Sequence, residues 1–133
     1  MATGEKQIIH VPGISEGLVK HKVPLSPAVR ANGFIFVSGM PPMDVTNGKI
    51  IQGDIATQTR LSIEAVKHVL EAAGSSLAKV VNVRIYCSNA GHFKTVNDVY
   101  AQYFSEGPPA RTFVAVGSWP MEFDIEMECI ALE

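Results

Sequence analysis

Val80-Val81-Asn82-Val83-Arg84-Ile85-Tyr86-Cys87 is the stretch from which the fold reads outward. It is β-branched and alternates apolar with polar in its second half, the pattern of a strand central to a sheet. Upstream, Asp54 opens a helix as N-cap. Ile55, Thr59, Ile63, Val66, Leu70 and Ala73 then recur at steps of four and three, and Gly74 supplies the stop. Leu61, Ala65 and Val69 widen the apolar stripe, so this helix is expected to lie across the sheet. Downstream of Ser88-Asn89-Ala90-Gly91, a second helix is predicted from about His92 to Ser105. Phe93, Val96, Tyr100 and Tyr103 mark its buried side, and Gly107-Pro108-Pro109 stops it.

Further out, Gln7 to Val11 reads as a first edge strand ended by Pro12-Gly13, and Ile14 to Pro27 reads as a loop for want of any periodicity. Asn32-Gly33 supplies the two positive-φ positions of a tight turn between Ala28-Val29-Arg30 and Phe34-Ile35-Phe36-Val37-Ser38, which predicts a β-hairpin. Gly39 is expected to end its second strand. Met40-Pro41-Pro42-Met43 lacks the donors to continue a ladder, and Asn47-Gly48 repeats the turn signal before Lys49-Ile50-Ile51. Two terminal strands follow, Arg111 to Val116 and Asp124 to Leu132. The order predicts an α+β fold, with helices packed on one face of a mixed sheet, in a single domain spanning residues 1–133.

With 47% hydrophobic and 18% charged residues the chain is less charged than the roughly 25% usual for soluble domains, so apolar surface is left for a partner subunit and a homo-oligomer is expected. A net charge of −2 without a Lys/Arg cluster argues against nucleic acid as a partner. Cys87 and Cys129, each inside an apolar run, suit buried free thiols in a reducing compartment. Met1-Ala2-Thr3-Gly4-Glu5-Lys6 lacks the basic and apolar regions of a signal peptide, and no apolar run approaches the ~20 residues of a membrane helix. A cytoplasmic location without a membrane partner is the expectation.

The charges that are hard to explain as surface decoration are Arg111, entering one strand, and Glu126, inside the next. Arg111 either snorkels to water or holds a carboxylate with its rigid fork of donors, a task for which a lysine's point charge is less suited. Glu126 and Glu128 occupy the open end of a largely buried strand; Glu128 reads as solvated, whereas a half-buried Glu126 is placed for proton transfer. His10, His21, His68 and His92 show no metal-ligand spacing, the serines lack a nucleophile-elbow context, and the glycines are scattered as turn residues. Metal, nucleophilic and cofactor chemistry recede, leaving a carboxylate-binding arginine with a candidate acid/base.

Pro109-Ala110-Arg111, Ile125-Glu126-Met127-Glu128, Val37-Ser38-Gly39 after a hairpin, and Thr95-Val96-Asn97-Asp98-Val99-Tyr100 together resemble the RidA/YjgF/UK114 family of reactive-intermediate deaminases, over roughly residues 23–132. The resemblance implies a chorismate-mutase-like α+β fold, a homotrimer with sites in the clefts between subunits, and no metal or organic cofactor. It implies a substrate that is a 2-imino or 2-enamino acid, hydrolysed to a 2-oxo acid and ammonia. In that reading Arg111 clamps the substrate carboxylate, Glu126 positions or deprotonates the attacking water, Gly39 offers backbone contact, and Ser38 and Asn97 line or support the cleft. Two positions depart from the family pattern: Ala28 stands where the archetype has a tyrosine, and Phe113 where it often has cysteine. Both are expected to line an altered pocket, which points to a divergent subfamily. A protein of the same fold that binds a small 2-oxo acid without turnover is the alternative.

Overall fold

The structure, a computed structural model, describes residues 4–133; Met1, Ala2 and Thr3, where the reading of the N-terminus begins, lie outside them. Its elements are β1 (Gln7–Ile9), α1 (Ser15–Lys20), β2 (Ala28–Ala31), β3 (Phe34–Met40), β4 (Met43–Asp44), β5 (Lys49–Ile50), α2 (Ile55–Ala72), β6 (Val80–Cys87), α3 (Phe93–Tyr103), β7 (Ala110–Ala115) and β8 (Ile125–Leu132). The main sheet has six strands in the order β1-β2-β3-β8-β6-β7, while β4 and β5 form a separate two-stranded ribbon. Every neighbouring pair in the main sheet is antiparallel except β6 and β7. That pair is parallel because α3 carries the chain back to the same end between the two strands.

Local chemistry explains the main elements. Asn32 (φ 54°) and Gly33 (φ 87°) make the mirror-image turn that matches the strand twist between β2 and β3. The Asp54 carboxylate accepts from the Thr57 N–H at 2.8 Å at the start of α2. At its end Gly74 adopts φ 81°, and the Ser75 N–H reaches back to the Leu70 carbonyl at 2.8 Å. Along β6 and β8, Val83, Ile85 and Cys87 and then Ile125, Met127, Cys129 and Ala131 are buried. All of these but Cys87 join Ile63, Val66, Val69 and Leu70 of α2 and Val96 of α3 in one cluster. Fully burying one such aliphatic side chain contributes about 1.5–3 kcal/mol, so this single layer between sheet and helices holds the fold. The opposite face of the sheet carries Arg84, Tyr86, Glu126 and Glu128 and lies away from α2 and α3; Phe36 and Leu132 there remain 43% and 45% exposed. The α+β architecture with helices on one face is therefore as expected.

Several local expectations are corrected. The stretch read as a loop from Ile14 to Pro27 contains α1. Its first turn is fixed by side chains: the Val11 N–H donates to Ser15 Oγ at 2.8 Å and the Gly13 N–H to the Glu16 carboxylate at 2.9 Å. β3 does not stop at Gly39 but continues to Met40. The register against β8 steps from Val37–Cys129 to Met40–Met127, so one extra residue is accommodated as a bulge at Ser38-Gly39. On α3, Val96, Val99 and Tyr100 form the buried side, whereas Phe93 is 47% exposed.

Candidate active site

The residues singled out by sequence fall into two groups, on opposite faces of the sheet. Arg111 of β7 is the register partner of Val83, and Glu126 of β8 is the register partner of Tyr86, both on the intervening β6. Val83 and Tyr86 are three residues apart, and side chains alternate faces along a strand, so Arg111 projects to the helix face and Glu126 to the open face. Two strand spacings and three residue steps separate their backbones by roughly 14 Å before the side chains diverge. Within one chain they do not meet.

The arginine group is built on α3. The Arg111 guanidinium carbon lies 4.8 Å from the centre of the Tyr100 ring and 5.7 Å from that of Phe93. Both distances are within reach of a cation–π attraction. Asn97 lies between them on the same helical stripe, and its buried Oδ1 has no hydrogen-bond partner; nor has the Tyr100 hydroxyl. Phe113, two residues along β7 from Arg111, meets Phe93 edge-on with centroids 5.1 Å apart and interplanar angle 87°. Among the described residues the Arg111 side chain makes no ion pair and no hydrogen bond. Aromatic faces orient this cation and leave its fork of donors free for a carboxylate. Burial pushes the Tyr100 phenol up to about 12, against the opposing pull of Arg111, so it stays neutral.

The glutamate group is built on the bulge. Gly39 has no side chain because the Glu126 carboxyl occupies that space: a Cβ on Gly39 would stand 2.6 Å from Glu126 Cδ and 3.0 Å from Cγ. Burial, and secondarily the charge of Glu128, raises the Glu126 carboxyl above its ordinary value. A half-buried carboxyl moved toward neutrality is poised to exchange a proton with water or substrate. Glu128, read as solvated, is half-buried and accepts a short hydrogen bond from the Tyr86 hydroxyl; that bond is the main cause of the raised Tyr86 phenol.

Ser38 is already engaged: its hydroxyl donates to the Ser26 carbonyl at 2.6 Å and its N–H to the Pro27 carbonyl at 2.9 Å. It ties the bulge to the segment before β2. Ala28 is corrected. It is 1% exposed, opposite Val37 on the helix face, and belongs to the core rather than to the surface around Glu126. Phe93 and Tyr100 were legible only as core aromatics; their spacing, one on either side of Asn97, was the available sign of a shelf. Among the described residues no three His, Cys, Asp or Glu side chains converge as a metal site would require, and no helix is long and apolar enough to cross a membrane. Cys129 is buried, which pushes its thiol up to about 12 and keeps it unreactive.

Residues 18–133 match the family model described as endoribonuclease L-PSP. A RutC family protein of Pyrococcus horikoshii is 44% identical over 108 residues, 81% of this chain and 86% of that one. The 3-aminoacrylate deaminase RutC of Acinetobacter baylyi is 37% identical over 118 residues, 89% of this chain and 94% of that one. The crystal structure of Escherichia coli TdcF with bound serine superposes with a TM-score of 0.81 at 31% identity, covering 96% of this chain and 98% of that one. The chain belongs to the endoribonuclease L-PSP family, that is, the RidA/YjgF/UK114 family of the resemblance above.

Proposed function

We propose that the protein hydrolyses a 2-imino or 2-enamino carboxylic acid to the 2-oxo acid and ammonia, in clefts where the arginine group of one copy faces the glutamate group of another, in a homotrimer. The observation that carries the reading is the unpartnered Arg111 fork on the helix face, set against a proton-poised Glu126 on the open face. Each copy then offers half of a site. Arg111, with Asn97 and Phe113 beside it, holds the substrate carboxylate. The neighbouring C=N carbon comes to lie beside a water that Glu126 orients and deprotonates. The nitrogen takes up that proton as the C–O bond forms, and the same carboxyl then relays the adduct's hydroxyl proton to it, so that C=O forms as the C–N bond breaks and ammonia leaves. The RutC relative named for 3-aminoacrylate deamination and the serine held by the TdcF structure support a small amino- or imino-acid ligand. No residue in this scheme requires a metal or organic cofactor.

The test mixes two inactive variants, Arg111→Ala and Glu126→Gln, co-assembled as confirmed by native mass spectrometry, and measures loss of 2-iminobutyrate generated in situ. If each site draws one half from each of two copies, random mixing restores about a quarter of the sites. Co-assembled mixtures with no activity refute the split site. A wild-type protein that accelerates no imino acid over buffer refutes the deaminase.

The second reading, binding of a small 2-oxo acid without turnover, is favoured by one observation. Ala28 provides no phenol and faces the core. Calorimetry with 2-oxobutyrate would then give Arg111-dependent heat from a protein inert toward every imino acid offered.

A further inference from the structure

Glu126 and Gly39 form one end of a cavity of about 840 Å³, walled by α1, by the β4–β5 ribbon and by the segment between α1 and β2. Away from Glu126 its walls include the apolar Leu18, Leu25, Met40, Met43 and Ile50, with Thr46 and Asn47 at the turn of the ribbon. The ionisable side chains among its lining residues, Glu16, Lys20, His21 and Lys49, are all exposed to solvent. Pockets of roughly 300–1,000 Å³ enclose drug-sized ligands, so the cavity of a single copy exceeds what a three- or four-carbon imino acid fills and leaves room beyond the end that faces the partner's arginine group. Its α1 wall is fixed. Gly13 packs so closely on the β4–β5 turn that a Cβ there would lie 3.1 Å from the Thr46 backbone, and the Pro12 carbonyl meets His68 Nε2 of α2 at 2.9 Å.

We infer that this cavity receives the substrate's side chain, and that the protein acts on 2-imino or 2-enamino acids with long apolar side chains in preference to three- and four-carbon ones. The inference rests on the role proposed for Glu126, because that carboxyl joins the cavity to the reacting carbon. Leu18, Met43 and Ile50 are then specificity-determining residues. Each methylene moved from water into such a cavity is worth about four-fold in kcat/KM, so three added methylenes give on the order of 50-fold.

The experiment uses wild type, Ile50→Trp and Leu18→Trp, two variants in different elements, each checked for unchanged native mass and secondary structure. Imines are generated in situ by an amino-acid oxidase from alanine, 2-aminobutyrate, methionine and phenylalanine. Calorimetry with the matching 2-oxo acids and with 2-oxoglutarate runs in parallel. The expected result is a long-to-short kcat/KM ratio of about 50 in wild type, falling toward 1 in at least one tryptophan variant, with the same ladder in binding. A flat ladder overturns the inference, as does a ladder indifferent to both tryptophans. Tighter binding of 2-oxoglutarate than of an apolar 2-oxo acid of equal length also overturns it, by assigning the cavity to the cations among its lining residues. A binding ladder without any turnover leaves the cavity's role standing and removes the deaminase reading instead.

Discussion

Replacing Gly39 with alanine isolates the geometry of Glu126 from the stability of the fold. The φ of Gly39 is outside the left-handed region, so an alanine is accommodated by the backbone without strain. Its methyl nevertheless enters the space of the Glu126 carboxyl, with Cβ 2.6 Å from Cδ where ordinary contact begins at 3.4 Å. The carboxyl must retreat by close to 1 Å. Misplacement on that scale costs about 100-fold when a catalytic group has to meet a reacting atom, which is about 2.7 kcal/mol of transition-state stabilisation. We expect Gly39→Ala to lower kcat/KM for the preferred imino acid by about 100-fold. Its urea midpoint should match or slightly exceed wild type, since the substitution also restricts the unfolded chain. The assay is initial-rate kinetics on in-situ imines, paired with urea denaturation at one protein concentration. The double variant Gly39→Ala/Glu126→Gln supplies the internal check: if the methyl acts by displacing Glu126, it adds nothing once that carboxylate is gone. An activity within three-fold of wild type, or losses that multiply in the double variant, would refute the reasoning.

Arg111→Lys keeps the charge but replaces the planar fork that lies over Tyr100 and Phe93, and should lose at least ten-fold in kcat/KM, with Arg111→Ala lower still. Neither change should shift the urea midpoint by much, because Arg111 has no ion pair among the described residues. Glu126→Gln carries a pH signature in stability. The carboxyl's folded-state value is raised, by burial first and by Glu128 second, so its contribution is favourable below the ordinary glutamate range and is lost as pH rises through the folded value. At pH 7 wild type bears a penalty that glutamine lacks. The variant should therefore have the higher urea midpoint at neutral pH, with the gap closing below about pH 4, and a gap of the opposite sign would count against the half-buried carboxyl.

What could be read from the sequence divides along physical lines. α2 and the β2–β3 hairpin are specified locally, by the Asp54 cap, the apolar stripe and the Asn32-Gly33 turn, and both formed where expected. α1 is six residues long with Gly17 in its middle, and it holds through contacts made across the chain, such as Pro12 with His68. No window of sequence carries that information. Arg111 and Glu126 stood out as charges in apolar strands, but their relation depends on register. Only the parallel pairing of β7 and the antiparallel pairing of β8, both on β6, put them on opposite faces. Glu128 read as a solvated alternate position because its partner, Tyr86, lies 42 residues away in the chain. The bulge at Ser38-Gly39 was hidden for the same reason, since a bulge is defined by the strand opposite.

The two faces of the sheet also link assembly to chemistry. The helix face is sealed by α2 and α3, whereas the open face displays Phe36 and Leu132 alongside Glu126 and Glu128. Apolar side chains left on one face of a sheet favour association. Under the split-site reading, an assembly that covers this face delivers to Glu126 the arginine that its own chain directs the other way. Half-sites of this kind make an isolated copy inert whatever its stability. A substitution such as Phe36→Asp, three residues along β3 from Gly39, should abolish activity through assembly, and activity should return in proportion to the fraction reassembled when concentration is raised. A monomeric Phe36→Asp variant that retained full turnover per chain would show that both halves of the site come from one copy, against the register that separates them.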